Sequence, residues 1–88
     1  MNIIEPKLPL AEIMAGTDER LPQRDRERQA VNYIRHNLTD YDELVAECGD
    51  PAEKTRTRNR ILRQIAEAYP ELAEAAKRQM VSDIGGWW

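Results

Sequence analysis

From Ala30 to Ile84 the apolar residues fall at intervals of three and four, and no stretch alternates as a half-buried strand would. That periodicity confines the chain to helices, and its prolines and glycines cut the helical run into pieces. Pro22 opens a first long helix over 22–37, with Glu27, Ala30, Val31, Ile34 and Leu38 on one face. All but Glu27 are apolar, so burial is expected in the second half. Leu21 offers no acceptor to the free amides of the first turn, so a frayed start is expected. A short second helix over 40–48 carries Tyr41, Leu44, Val45 and Cys48 and stops at Gly49. Asp50, Pro51 and Glu53 read as cap, first position and capping-box partner of a third helix over 51–69. Its stripe is Ile61, Leu62, Ile65, Ala66 and Tyr69, again in the second half. Pro70 breaks it, and a fourth helix over about 70–83 places Leu72, Ala73, Ala76, Met80 and Ile84 together. The expected class is all-α: a small four-helix bundle in one domain, residues 1–88.

Residues 1–20 read as an N-terminal arm. Pro6 and Pro9 favour extended backbone, while Pro9 and Gly16 bracket a short helical turn holding Leu10, Ile13 and Met14. At the other end, Gly85 and Gly86 release a Trp87-Trp88 tail. Two indoles are a large apolar area for 88 residues that include no Phe. They either fold back to complete the core or dock on another chain, and Leu8, Leu10, Ile13 and Met14 pose the same choice.

Several function classes are disfavoured by what the chain lacks. No apolar run approaches the roughly 18 residues of a membrane-spanning helix, and MNIIEPKLPL lacks the basic flank of a secretory signal. Cys48 is alone, and with His36, also alone, it cannot build a four-ligand zinc site. A cytoplasmic protein with no metal or cofactor is expected.

The densest cluster of chemistry is YIRHNLTDYDEL, residues 33–44, with the single histidine, two tyrosines and three acids. Helix termination explains it. His36 lies opposite the apolar face, in a last turn where a donor suits the dipole. Asn37 tolerates the left-handed conformation that stops a helix. Thr39 is placed to cap the next helix, with Asp40, Asp42 and Glu43 in its first turn. The catalytic alternatives are His36 with Asp40 or Asp42, or His36 with Cys48, which sits in an acidic block that disfavours a thiolate. The outward imidazole argues against both, so no catalytic residue is assigned.

Charge is blocked rather than mixed. Residues 40–53 hold six acids and no base, and 54–63 hold five bases and no acid. On the third helix Arg56, Arg60 and Arg63 share one face, roughly opposite the apolar stripe. They suit phosphates, yet Glu53 and Glu67 continue that face at ion-pair spacings, so a salt-bridged surface is expected. Lys54 and Arg58 extend the apolar stripe and are expected to fold over the acidic block. A helix-turn-helix centred on Gly49 fails, because Thr55 and Arg58 would occupy positions that need apolar side chains. Arg24, Arg28 and Arg35 share one flank of the first helix and complete the nucleic-acid alternative.

An IRH-x-x-T-x-YD-x-L box, here Ile34, Arg35, His36, Thr39, Tyr41, Asp42 and Leu44, resembles one in an uncharacterised family of small bacterial and phage-type domains. AYPELAEAAKRQ, residues 68–79, is similar to that group as well. The resemblance implies a small helical module of bacterial or phage origin and no catalytic residue. The function expected is a non-catalytic protein-interaction or regulatory module using Leu8, Leu10, Ile13, Met14, Trp87 and Trp88. Self-association through the opposite-charge blocks is a further possibility, and no membrane or small-molecule substrate is expected. The alternative is a nucleic-acid-associated protein using Arg24, Arg28, Arg35, Arg56, Arg60 and Arg63.

Overall fold

The computed structural model describes residues 8–80. Ile84, the Gly85-Gly86 hinge, Trp87 and Trp88, and any continuation of the last helix past Met80 lie outside the described residues. Within them the chain forms five α-helices, α1 (Leu10–Ala15), α2 (Gln23–Asn37), α3 (Tyr41–Glu47), α4 (Pro51–Ala68) and α5 (Ala73–Gln79), with a 3₁₀ turn at Pro70–Leu72. No strand occurs among the described residues, and the class is all-α.

The two long helices, α2 and α4, form the spine, and α2 packs against each of the other four. The shortest dimension is 19 Å, about two helix diameters, so two layers of helix enclose the core. Ala30, Val31 and Ile34 of α2 meet Ile61, Leu62 and Ile65 of α4 there, all fully buried. Tyr69, Leu72, Ala75 and Ala76 close it from the C-terminal side. On α5 the buried positions are Ala75 and Ala76, while Ala73 is only half-buried. The break at Pro70 rotates the expected face, because the turn before α5 is 3₁₀ and closes with three residues per turn instead of 3.6.

Local chemistry accounts for the ends of the helices. The Asp50 carboxylate accepts the Glu53 amide at 2.9 Å, and Glu53 Oε2 accepts the Gly49 amide at 3.3 Å. This is a capping box shifted by one residue on its return arm. Pro22 precedes α2 with no side-chain cap, as Leu21 and Pro22 foretell. Two expectations change at the α2–α3 joint. Asn37 is the last helical residue, and Leu38 ends α2 at φ −116°, so no left-handed stop is used. Instead Asn37 Nδ2 donates back to the Tyr33 carbonyl at 3.1 Å. The residue at the cap position of α3 is Asp40, without a side-chain cap bond. Thr39 ties the joint from one position earlier: its hydroxyl donates to the Arg35 carbonyl at 2.6 Å and accepts the Tyr41 amide at 3.1 Å.

From Leu8 onward the N-terminal segment is packed on its own chain. Ile13 is 5% exposed within the core, and Leu8, Leu10 and Met14 are half-buried against it. Polar ties fix it from three directions. The Tyr69 hydroxyl donates to the Leu8 carbonyl at 2.6 Å. Arg26 donates to the Met14 carbonyl at 3.1 Å and to Thr17 Oγ1 at 2.9 Å, satisfying the C-terminal end of α1. The Asp18 amide donates to Gln29 Oε1 at 2.9 Å. Beside it, the Arg20 guanidinium holds the Asp18 carboxyl below its ordinary value.

Two measurements test this packing. Ile13→Ala is expected to destabilise by about 2–4 kcal/mol in denaturant unfolding, the cost of a core cavity; a free arm would register less than about 0.5. Burial raises the Tyr69 phenol above its ordinary 10.0. The folded state therefore favours the protonated form. That contribution is fully present below about pH 10 and is lost as pH climbs through the raised folded value. Tyr69→Phe should cost about 1 kcal/mol at neutral pH and flatten the alkaline limb of the stability profile.

Candidate functional site

The first half of α4 buries one residue, Asn59; its other buried side chains, Ile61, Leu62 and Ile65, lie beyond it. That half is held at its start by the Asp50 cap and along one side by α3, which buries no residue fully. Its outer face is exposed among the described residues. Arg56, Arg60 and Arg63 are exposed there with Glu53 and Thr57 between them. The ion pairs foreseen for this face do not form: neither Glu53 with Arg56 nor Glu67 with Arg63 reaches 4 Å, and the described ion pairs lie elsewhere. The cause is local for Glu53, whose carboxylate is engaged at the Gly49 amide. The three guanidinia thus stand at positions i, i+4 and i+7, unneutralised by any described carboxylate at contact distance.

Arg24 and Arg28 are exposed, but Arg35 is not: it retains 8% exposure. The flank foreseen as one basic row is split, because α5 and the start of α3 close over the second half of α2. Arg35 donates from one terminal nitrogen to Gln79 Oε1 at 2.8 Å and from the other to His36 Nε2 at 3.3 Å. Its guanidinium carbon lies 5.2 Å from the centre of the Tyr41 ring. Desolvation lowers its proton affinity, the Arg58 charge adds to this, and Tyr41 and Asp42 oppose both. Arg35 is therefore withdrawn from any surface role, and it holds three elements together instead. Arg58 is half-buried with its Nε unpartnered, and Lys54 is exposed. Neither forms an ion pair with the acidic block, contrary to expectation.

His36 sits at the same joint. Because a guanidinium only donates, Nε2 must accept from Arg35, which leaves the ring proton on Nδ1 to donate to Asp42 Oδ1 at 2.8 Å. The ring packs edge-on to Tyr41 at 5.6 Å. Both ring nitrogens are occupied, and the side chain is 44% exposed. Cys48 is remote in its bonding: its thiol donates to the Leu44 carbonyl at 3.2 Å and lies 3.4 Å from Thr57 Oγ1. Asp42 beside His36 is a pair named from the sequence, and its contact links α2 to α3. No group of three or more His, Cys, Asp or Glu among the described residues is placed to hold a metal ion. No described helix is long and apolar enough to cross a membrane.

Sequence reasoning missed the role of Arg78 and Gln79, which α5 brings beside Arg24 and Arg28. The only signal available was the run of three polar residues, Lys77, Arg78 and Gln79, in the last turn of an alanine-rich helix.

No family model matches the chain, and no curated protein or solved structure is detectably similar to it.

Arg35 provides a direct test of the joint. Arg35→Ala leaves Gln79 and His36 without their donor and should destabilise by about 1–3 kcal/mol. Arg35→Met keeps the length, contact with Tyr41 and apolar volume while removing a desolvated cation that has no carboxylate at ion-pair distance among the described residues. It should be the milder of the two, as read from thermal or denaturant unfolding.

Proposed function

We propose that this protein is a non-catalytic binding module that recognises an acidic protein surface through the Arg56, Arg60 and Arg63 face of α4. One observation carries the reading: three exposed guanidinia on a single helix face find no ion-pair partner among the described residues, although two glutamates lie at pairing distance in sequence. Charges left unpaired on a rigid element are pre-arranged for a partner's carboxylates, and electrostatic complementarity gives such a contact its rate and selectivity. The packing of Leu8, Leu10, Ile13 and Met14 on the chain's own core moves the binding role away from the N-terminal segment. Trp87 and Trp88, expected from the sequence to take part in binding, lie outside the described residues. The architecture is read as a small four-helix bundle carrying an N-terminal helical turn, in a cytoplasmic protein of bacterial or phage type.

Nucleic acid is the second reading, favoured by the same unpaired arginines. Against it stand the net charge of −3 and the six acids of residues 40–53, carried on and around α3, which packs on α4. A polyanion approaching α4 meets this negative field within about a Debye length, whereas a protein surface of mixed charge can match both signs.

Fluorescence anisotropy separates the two. A labelled peptide of mixed charge, in which a glutamate cluster is flanked by lysines, and labelled single- and double-stranded DNA are titrated with the full chain at 50 and 200 mM salt. The peptide is expected to bind at low salt, to weaken as salt rises, and to lose about tenfold or more when Arg56, Arg60 and Arg63 are all changed to Gln, equivalent to about 1.4 kcal/mol. Tighter binding of DNA, with a log–log salt slope near about −3 for three phosphate contacts, would replace the first reading with the second. Failure of both probes at 50 mM salt removes the face as a binding site.

A further inference from the structure

A groove of about 500 Å³ runs between the start of α2 and α5, on elements separate from the α4 face. Its walls carry Arg24, Asp25 and Arg28 from α2, and Ala75, Arg78 and Gln79 from α5. We propose that this groove binds the phosphate group of a small phosphate monoester through Arg24, Arg28 and Arg78.

The inventory of donors and acceptors leads there. Arg24 has no ion pair or hydrogen bond through its side chain among the described residues. Arg28 and Arg78 hold only loose pairs, each 3.9 Å long, with Asp25 and Glu74. Three guanidinia therefore face one acid across the groove, leaving a net charge of +2 on its walls. Gln79 lines the groove without adding an acceptor to it: its carbonyl oxygen is taken by Arg35 at 2.8 Å, which fixes the amide orientation, and its Nε2 is buried. A site rich in donors and poor in acceptors suits an anion that only accepts.

The number and placement of the cations select the anion. A carboxylate is planar and singly charged, and one or two guanidinium forks satisfy it. Cations on two opposing helices match the tetrahedral oxygens and double charge of a phosphate monoester. The volume falls in the range of small-molecule sites and exceeds what inorganic phosphate fills, so an organic group has room against Ala75 and Pro22. Arg35 acts behind this wall as a positioning residue, because it orients Gln79 without reaching the groove itself.

The test is a ¹⁵N–¹H NMR titration of the full chain at pH 7.5 and 50 mM salt with phenyl phosphate, inorganic phosphate and benzoate. Phenyl phosphate is expected to shift the amides of Gln23–Arg28 and Ala73–Gln79 saturably, and to bind about tenfold or more tightly than benzoate. Arg24→Gln, Arg28→Gln and Arg78→Gln should each weaken it by about tenfold, the worth of one charge-assisted contact near 1.4 kcal/mol. All three positions are exposed, and an unchanged amide spectrum confirms that each variant folds. The α4 triple variant should leave this affinity unaltered, which keeps the groove distinct from the α4 reading. The proposal is overturned by shifts centred on Pro51–Ala68, by equal affinity for benzoate, or by indifference to the three substitutions.

Discussion

The structure depends on a seam of apolar contact that occupies only one end of its two long helices. Among the described residues the seven largest fully buried side chains are Val31, Ile34, Ile61, Leu62, Ile65, Tyr69 and Leu72. None comes from the first half of α2 or α4. Each long helix is thus divided into a packing half, made rigid by the core, and a charged half that projects from it. Burial of the seam supplies most of the favourable free energy available to so small a chain. The charged halves are covered on one side by the short helices, α1 on α2 and α3 on α4, and are helical because the buried turns propagate into them and because Asp50 caps one of them. Arginines placed there have backbone order without being drawn into the core.

Much of this was legible in the sequence, and the failures share a cause. Helix ends at Pro9, Gly16, Pro51 and Pro70 are local events, decided by residues within a turn of each other. The apolar stripes of α2 and α4 follow from their own spacing. Which neighbour covers which flank is a long-range property. Arg28 and Arg35 are seven positions apart, occupy nearly the same angle on α2, and look equivalent in a helical projection. One is exposed and the other 8% exposed because α5 arrives over only part of that flank. The N-terminal segment shows the same limit. Its prolines suggested an arm, but the contacts that tie it down come from Arg26 and from Tyr69, the latter 61 residues away. The missing Glu53–Arg56 pair on α4 fails for a local reason that was readable: Glu53 is placed both to cap and to pair, and the helix start claimed it.

The joint at residues 33–44 shows how a dense set of reactive residue types can be used up by structure. Several of its polar side chains have partners fixed by the turn between α2 and α3, while Asp40 Oδ1 is buried without one. Thr39 bridges the two helices, Asn37 returns to its own helix, Asp42 receives His36, and His36 receives Arg35. The α3 helix buries no side chain completely, so these polar links add to the partial apolar packing of Tyr41 and Leu44 against the core. A short, strongly acidic helix could not be fastened by burial alone, since its charges must stay hydrated. The same requirement explains why the box reads as chemistry in one dimension and as carpentry in three.

Fastening α3 in this way has an electrostatic consequence for α4. The acids of residues 40–53 are held against the helix whose outer face carries Arg56, Arg60 and Arg63. At physiological salt their field extends about 8 Å, far enough to reach a ligand seated on α4 but too short to act across the whole molecule. The α2–α5 groove, with its own arginines on different elements, has no comparable block of acids in its walls. Two arginine groups of similar size on one small chain are therefore placed in different fields. On the proposed readings, the first is tempered by adjacent acids and suits a surface of mixed charge, while the second is concave, donor-rich and suits a compact dianion. The distinction follows from where α3 is fastened, and so from the polar joint rather than from the arginines themselves.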